Sequence, residues 1–177
     1  MLESVKPRWL VLVCSAAICS WLQGSTAAIP RLQDYPSMQV FAGKPAPPRL
    51  AGPRDKLFRT RIREGATRGP NFAGQYTIAE WGCGSGCVSI AVVNAQDGTV
   101  YLPPFEILGW GMPVLSYEGM HAPNHEGFHP LEYSVNSRLL IVRGCPEDQN
   151  CGSYFYEWTG SEFKLIRKIS AVSAEQH

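Results

Sequence analysis

Two pairs of cysteines limit what this chain can fold into: Cys83 and Cys87 inside EWGCGSGCVSIAVVN, and Cys145 and Cys151 around PEDQN. Each pair stands between two β-prone runs. Residues facing one another across an antiparallel pair have Cα atoms roughly 4.5–5.5 Å apart, the separation a disulfide needs. The spacing therefore predicts two hairpins, each stapled at its own end, 83 with 87 and 145 with 151. A loop as short as Gly84-Ser85-Gly86 needs at least one positive φ, which its glycines supply. Thioredoxin-like redox pairs are C-x-x-C at a helix N-terminus, whereas here the spacing is longer and the flanks are strands. A Cys₄ zinc site demands four reduced thiolates, which an oxidising compartment disfavours. Ser85 does not make a nucleophile elbow, because Cys83 replaces the first glycine of G-x-S-x-G and a strand follows where a helix is required.

The N-terminus points to such a compartment. Lys6 and Arg8 precede an almost wholly apolar run over residues 9–22, and Ser25, Thr26, Ala27 and Ala28 supply the small residues of a cleavage site. Residues 1–28 thus read as a secretory signal peptide. The apolar run is shorter than the roughly 20 residues that span a bilayer, so no transmembrane segment is expected after cleavage. Val13 and Ile18 stand before Cys14 and Cys19, where a lipid anchor would want a small residue. Both cysteines leave with the signal, and the even number that remains suits disulfides in a periplasmic or secreted protein.

About 150 residues then remain, enough for one domain with one core. We divide them into a proline-rich extended segment, 29–53, and a single β-rich domain, 54–177. Sixteen Lys and Arg balance fifteen Asp and Glu. No global field steers the chain toward nucleic acid or an anionic membrane, and no nucleic-acid partner is expected.

The proline-rich segment is expected to lie extended over the surface, with room for one short strand near residues 38–41. Pro53 at a first helical position, the apolar stripe Leu57, Phe58 and Ile62, and Gly65 as a stop predict one short helix. Its cations, Arg54, Lys56, Arg59, Arg61 and Arg63, outnumber Asp55 and Glu64. They read first as a solvated face and second as a dock for an acidic partner. From residue 75 the pattern turns to strands: QYTIAEW, VSIAVVN and TVYLP form one meander, and LEYSV, RLLIVRG, SYFYEW and SEFKLIRKI a second. The fold class is mainly β, two antiparallel meanders forming a small sandwich or barrel with the helix capping an end. The second meander has the look of a propeller blade, but one or two blades cannot close a propeller.

Three stretches, NFAGQYTIAEWGCGSGC at 71–87, NSRLLIVRG at 136–144 and CGSYFYEWTGSEFKLI at 151–166, carry a resemblance. With their N-F-A-G-x-Y, W-G-C-G-x-x-C and C-G-x-Y-x-Y-x-W patterns, the chain resembles a group of exported bacterial proteins of unassigned function. The likeness runs over about residues 54–165, apart from 103–130, and implies export and fold without an activity. Ala73 to Tyr76 is also similar to the S-G-x-Y loop of periplasmic lysozyme inhibitors, with alanine for serine.

Function is sought first in the break between the meanders, residues 104–130. Loops of this length without structure of their own are usually functional or disordered, and aromatics argue against plain disorder. Trp110, Tyr117 and Phe128 are the expected contact residues for a protein partner or a sugar ring; folded back, they would instead complete the core. The same loop holds His121, His125 and His129 at four-residue intervals beside Glu126, a set able to hold zinc or copper. Pro123 and Gly127 oppose the helix that would align them. Glu80, Glu106 and Glu118 allow a carboxylate pair on paper, without specificity. The sequence thus reads as an exported interaction protein with inhibitor-like or envelope-associated duties, needing no cofactor. The alternative is a metal-binding protein or metal-dependent hydrolase built on the histidine loop.

Overall fold

A computed structural model describes residues 28–108, 129–146 and 150–171. Two β-prone runs joined by Ser85-Gly86 become strand β1, Tyr76–Gly84, and strand β2, Cys87–Asn94, with Ile78 opposite Val92 and Glu80 opposite Ile90. Strand β3, Val100–Tyr101, turns back on β2. Then follow β4, Ile107–Leu108; β5, Leu131–Glu132; β6, Leu139–Pro146; β7, Gly152–Trp158; and β8, Phe163–Ser170. All pair antiparallel, in the order β1-β2-β4-β6-β7-β8, with β3 on β2 and β5 on β6. The mainly antiparallel architecture and the two meanders are those the sequence suggests. Both expected disulfides are formed, Cys83 with Cys87 and Cys145 with Cys151.

The meanders do not stand as separate layers. Strand β4 joins them edge to edge, so the sandwich takes the form of one open sheet. That sheet is strongly curled. Tyr76 on β1 and Trp158 on β7 would be roughly 19 Å apart across four flat strand spacings. Their rings are 5.2 Å apart, and the Tyr76 hydroxyl donates to the Gly160 carbonyl at 3.1 Å. One core consequently gathers the concave side of both halves: Ile78, Ile90, Val92, Leu140, Val142, Tyr156 and Trp158.

Central strands are apolar on both faces, so their convex faces need cover of their own. On the first half, Ala91, Val93 and Trp81 are covered by helix α2, Arg59–Ala66, through Ile62 and Ala66, with Leu50 and Phe58 beside them. The helix therefore lies along the convex face and does not cap an end. It is also preceded by a separate turn of helix, α1, Pro53–Leu57, because Phe58 leaves helical geometry at φ −98°, ψ 17°. Leu57 falls outside the apolar stripe and is 70% exposed. On the second half, Leu139, Ile141 and Phe155 are covered by Leu32 and Tyr35 of the N-terminal segment. That segment forms no strand at 38–41; it is held by isolated contacts, a bridge from Pro36 to Ser137 and a hydrogen bond from the Phe41 amide to the Gly74 carbonyl at 2.9 Å.

Candidate interaction surface

Segment 109–128 falls in sequence between Leu108, the last residue of β4, and His129, two residues before β5, and both of these flanks are fixed. Strand β4 has only two residues, too few to hold itself in place. Ile107 lies opposite Val88 on one side and Pro146 on the other, and Leu108 lies opposite Cys145. Val88 follows Cys87, so both disulfides stand on the strand ends that clamp β4. Their Cα separations are 5.1 Å and 4.0 Å. Cys83 sits in the irregular step of the β1–β2 pairing between Gly82 and Gly84, and Gly84 faces Cys87. Gly86, at φ 63°, closes the turn in the left-handed region that glycine favours. Beside this staple, one carboxylate oxygen of Glu106 and the two sulfurs lie within 4.8 Å of one another. Sulfurs bonded to each other are not thiolates, so the trio is no thiolate metal site. Glu106 instead accepts from the Ser89 hydroxyl at 3.2 Å.

At the other end, His129 places Nε2 2.9 Å from one oxygen of Glu80. Its Nδ1 lies 2.9 Å from the Leu131 carbonyl oxygen and 3.3 Å from the Leu131 amide nitrogen. The second Glu80 oxygen accepts from the Tyr133 hydroxyl. Tyr133 packs edge-on against Phe72, ring centroids 6.1 Å apart. Burial raises the Tyr133 hydroxyl well above the usual phenol range, the hydrogen bond to Glu80 and its negative charge raise it further, and Arg68 opposes them. Glu80 thus ties together β1, His129 just before β5, and Tyr133 just after it.

The N-F-A-G-x-Y stretch behind this trio has a structural job. Asn71 accepts from the Ile78 amide at 2.7 Å and donates to the Ile78 carbonyl at 3.1 Å, extending the edge of β1. Gly74 donates to the Val135 carbonyl at 2.7 Å, and a Cβ there would stand 3.0 Å from the Gln39 carbonyl oxygen at φ 79°. A glycine is required by both the close approach and the backbone angle.

Among the sequence-derived candidates, Trp110, Tyr117 and Phe128 lie outside the described residues, as do His121, His125, Glu126 and Glu118. His129 is described, and a zinc or copper shell including it would have to take a ring nitrogen from Glu80 or Leu131. Glu80 is engaged with Tyr133 and His129, and Glu106 with Ser89. The trio Glu80, His129 and Tyr133 escaped sequence reading because Glu80 stands 53 residues before Tyr133 along the chain. A carboxylate two residues after a core-facing Ile78, and so on the same face of β1, is the one local sign of it. No protein-family model, curated protein or solved structure matches the chain.

Proposed function

We propose that the protein is an exported binding domain, in which a disulfide-stapled sheet presents segment 109–128 to a protein or glycan partner. Its contact side chains are Trp110, Tyr117 and Phe128, and the duty is inhibitor-like or envelope-associated. The observation that supports this reading is the double anchorage of the segment. Two disulfide-bearing strand ends hold β4 before it, and the Glu80 trio holds His129 after it. Binding loops work when a rigid scaffold fixes their ends and leaves their side chains for the partner, which reduces the ordering cost of association. Export supplies the oxidising conditions in which both staples persist.

The test is the double substitution Trp110→Ala, Tyr117→Ala in the mature protein. Partner capture from a periplasmic extract, or retention on a glycan array, is expected to disappear while the urea midpoint moves by no more than about 0.5 kcal/mol equivalent, as for surface changes. Loss of the folded state instead would place these rings in the core and refute the proposal.

A further inference from the structure

The balance of charge over the whole chain conceals a local excess. Residues 44–68 contain eight cations, Lys44, Arg49, Arg54, Lys56, Arg59, Arg61, Arg63 and Arg68, against two acids, Asp55 and Glu64. Few of them are neutralised. Asp55 is occupied by the Ala51 and Gly52 amides at 3.0 and 2.9 Å, and Arg61 reaches Glu64 only at 3.7 Å. Within this basic region a groove of about 600 Å³ lies between the proline segment and α2, lined by Pro45, Ala46, Pro47, Pro48, Ala66 and Thr67. Lys44 and Arg63, both exposed, also line it.

Both walls are built in advance. The proline wall is fixed to the body by hydrogen bonds from the Ala46 amide to the Ala95 carbonyl at 2.8 Å and from the Arg49 amide to the Gly98 carbonyl at 2.7 Å. The helical wall is seated on the sheet through Ile62 and Ala66. A rigid, mostly apolar concavity of this size falls within the roughly 300–1,000 Å³ typical of ligand clefts.

We infer that this groove is a second binding site, separate from segment 109–128, and that it takes an acidic peptide segment whose apolar side chains enter the groove while its carboxylates meet Lys44 and Arg63. The lining chemistry selects this class. Among the described residues no aromatic ring lines the groove, so neither stacked bases nor sugar rings find their usual platform there. Strand addition is also closed off, because Pro45, Pro47 and Pro48 have no N–H and the amides of Ala46 and Arg49 are already used. Side chains and charge are what remain for recognition, and the surrounding cations favour a negative partner and speed its approach.

The experiment uses the mature protein and a fluorescein-labelled decapeptide of alternating glutamate and leucine, read by anisotropy. Decaglutamate, alternating lysine and leucine, heparin and phosphatidylglycerol vesicles serve as comparisons. Saturable binding of the Glu-Leu peptide, at least about tenfold tighter than decaglutamate, is expected, since the groove adds apolar burial to charge. Lys44→Glu with Arg63→Glu should weaken it about tenfold or more and flatten its salt dependence, with an unchanged circular dichroism spectrum and melting midpoint. Equal binding of decaglutamate, indifference to the double charge reversal, or a preference for heparin or vesicles over the peptide would each overturn the assignment. Trp110→Ala with Tyr117→Ala should leave peptide binding unchanged, which separates this site from the one proposed for segment 109–128.

Discussion

At Gly65 the helix meets the sheet without room for another carbon: a Cβ there would stand 2.2 Å from the Ala79 Cβ and 2.9 Å from its Cα. Sequence reasoning takes this glycine for a helix stop, but α2 continues through it to Ala66, and its cause is the contact. Side-chain identity shows a breaker near the helix end; only the packed partner shows why the residue must be glycine. Tyr133 is a residue of the same kind, unremarkable in sequence and constrained by its place. Its folded-state pKa is raised, mainly by burial and then by Glu80, so its contribution to stability is complete below about pH 10 and is lost as pH climbs from there toward the folded value. Unfolding free energy measured in urea should therefore fall above pH 10 in the wild-type protein. In Tyr133→Phe, which keeps the ring against Phe72 and removes the ionisation, that alkaline fall should be shallower. An identical slope in both proteins would show that Tyr133 does not titrate differently on folding.

The longer strands of the two meanders are legible because each carries a pattern: β1 opens with the alternation Tyr76-Thr77-Ile78, while β2 and β7 are apolar on both faces and read as near-continuous β-prone runs. The cysteine pairs fix their hairpin ends. Strand β4 is illegible for a physical reason, since two residues carry no period and Ile107–Leu108 gains its conformation wholly from β2 and β6. The staples matter most at this element. By chain entropy, loops closing over 4 and 6 residues contribute only about 2 kcal/mol each. Replacing Cys145 and Cys151 by serine should accordingly leave a folded protein about 2 kcal/mol less stable. It should also raise amide hydrogen exchange at Leu108 and at position 145 well beyond the change at β1, because residue 145 is the direct partner of Leu108. Exchange that rises uniformly across the sheet would mean that the staple acts on global stability alone and does not hold β4 in particular.

Curling of the whole sheet could not be read from sequence, because it depends on how both halves pack around one core, with Tyr76 and Trp158 in contact across strands remote in pairing order. It leaves two convex faces to be covered, and that gives the proline-rich segment a larger role than lying on the surface. Leu32 and Tyr35 cover the second half, Leu50 the first, and polar bonds fasten the path between them. Ser137 donates to the Leu32 carbonyl at 2.7 Å, Ser37 to the Val135 carbonyl at 2.9 Å, and the Arg138 amide to the Tyr35 carbonyl at 2.8 Å. Removing residues 29–44 would expose Leu139, Ile141 and Phe155 and break these bonds. With hydrogen bonds worth about 1 kcal/mol each and apolar side chains on the order of 1–2 kcal/mol, the loss is comparable with the roughly 5–15 kcal/mol that holds a domain together. A chain of residues 45–177 should therefore bind the dye ANS, lose its sharp urea transition and aggregate. Retention of a cooperative transition within about 1 kcal/mol of the intact protein would show that the sheet closes its convex face without the segment. The cover would then be local packing with no share in the fold.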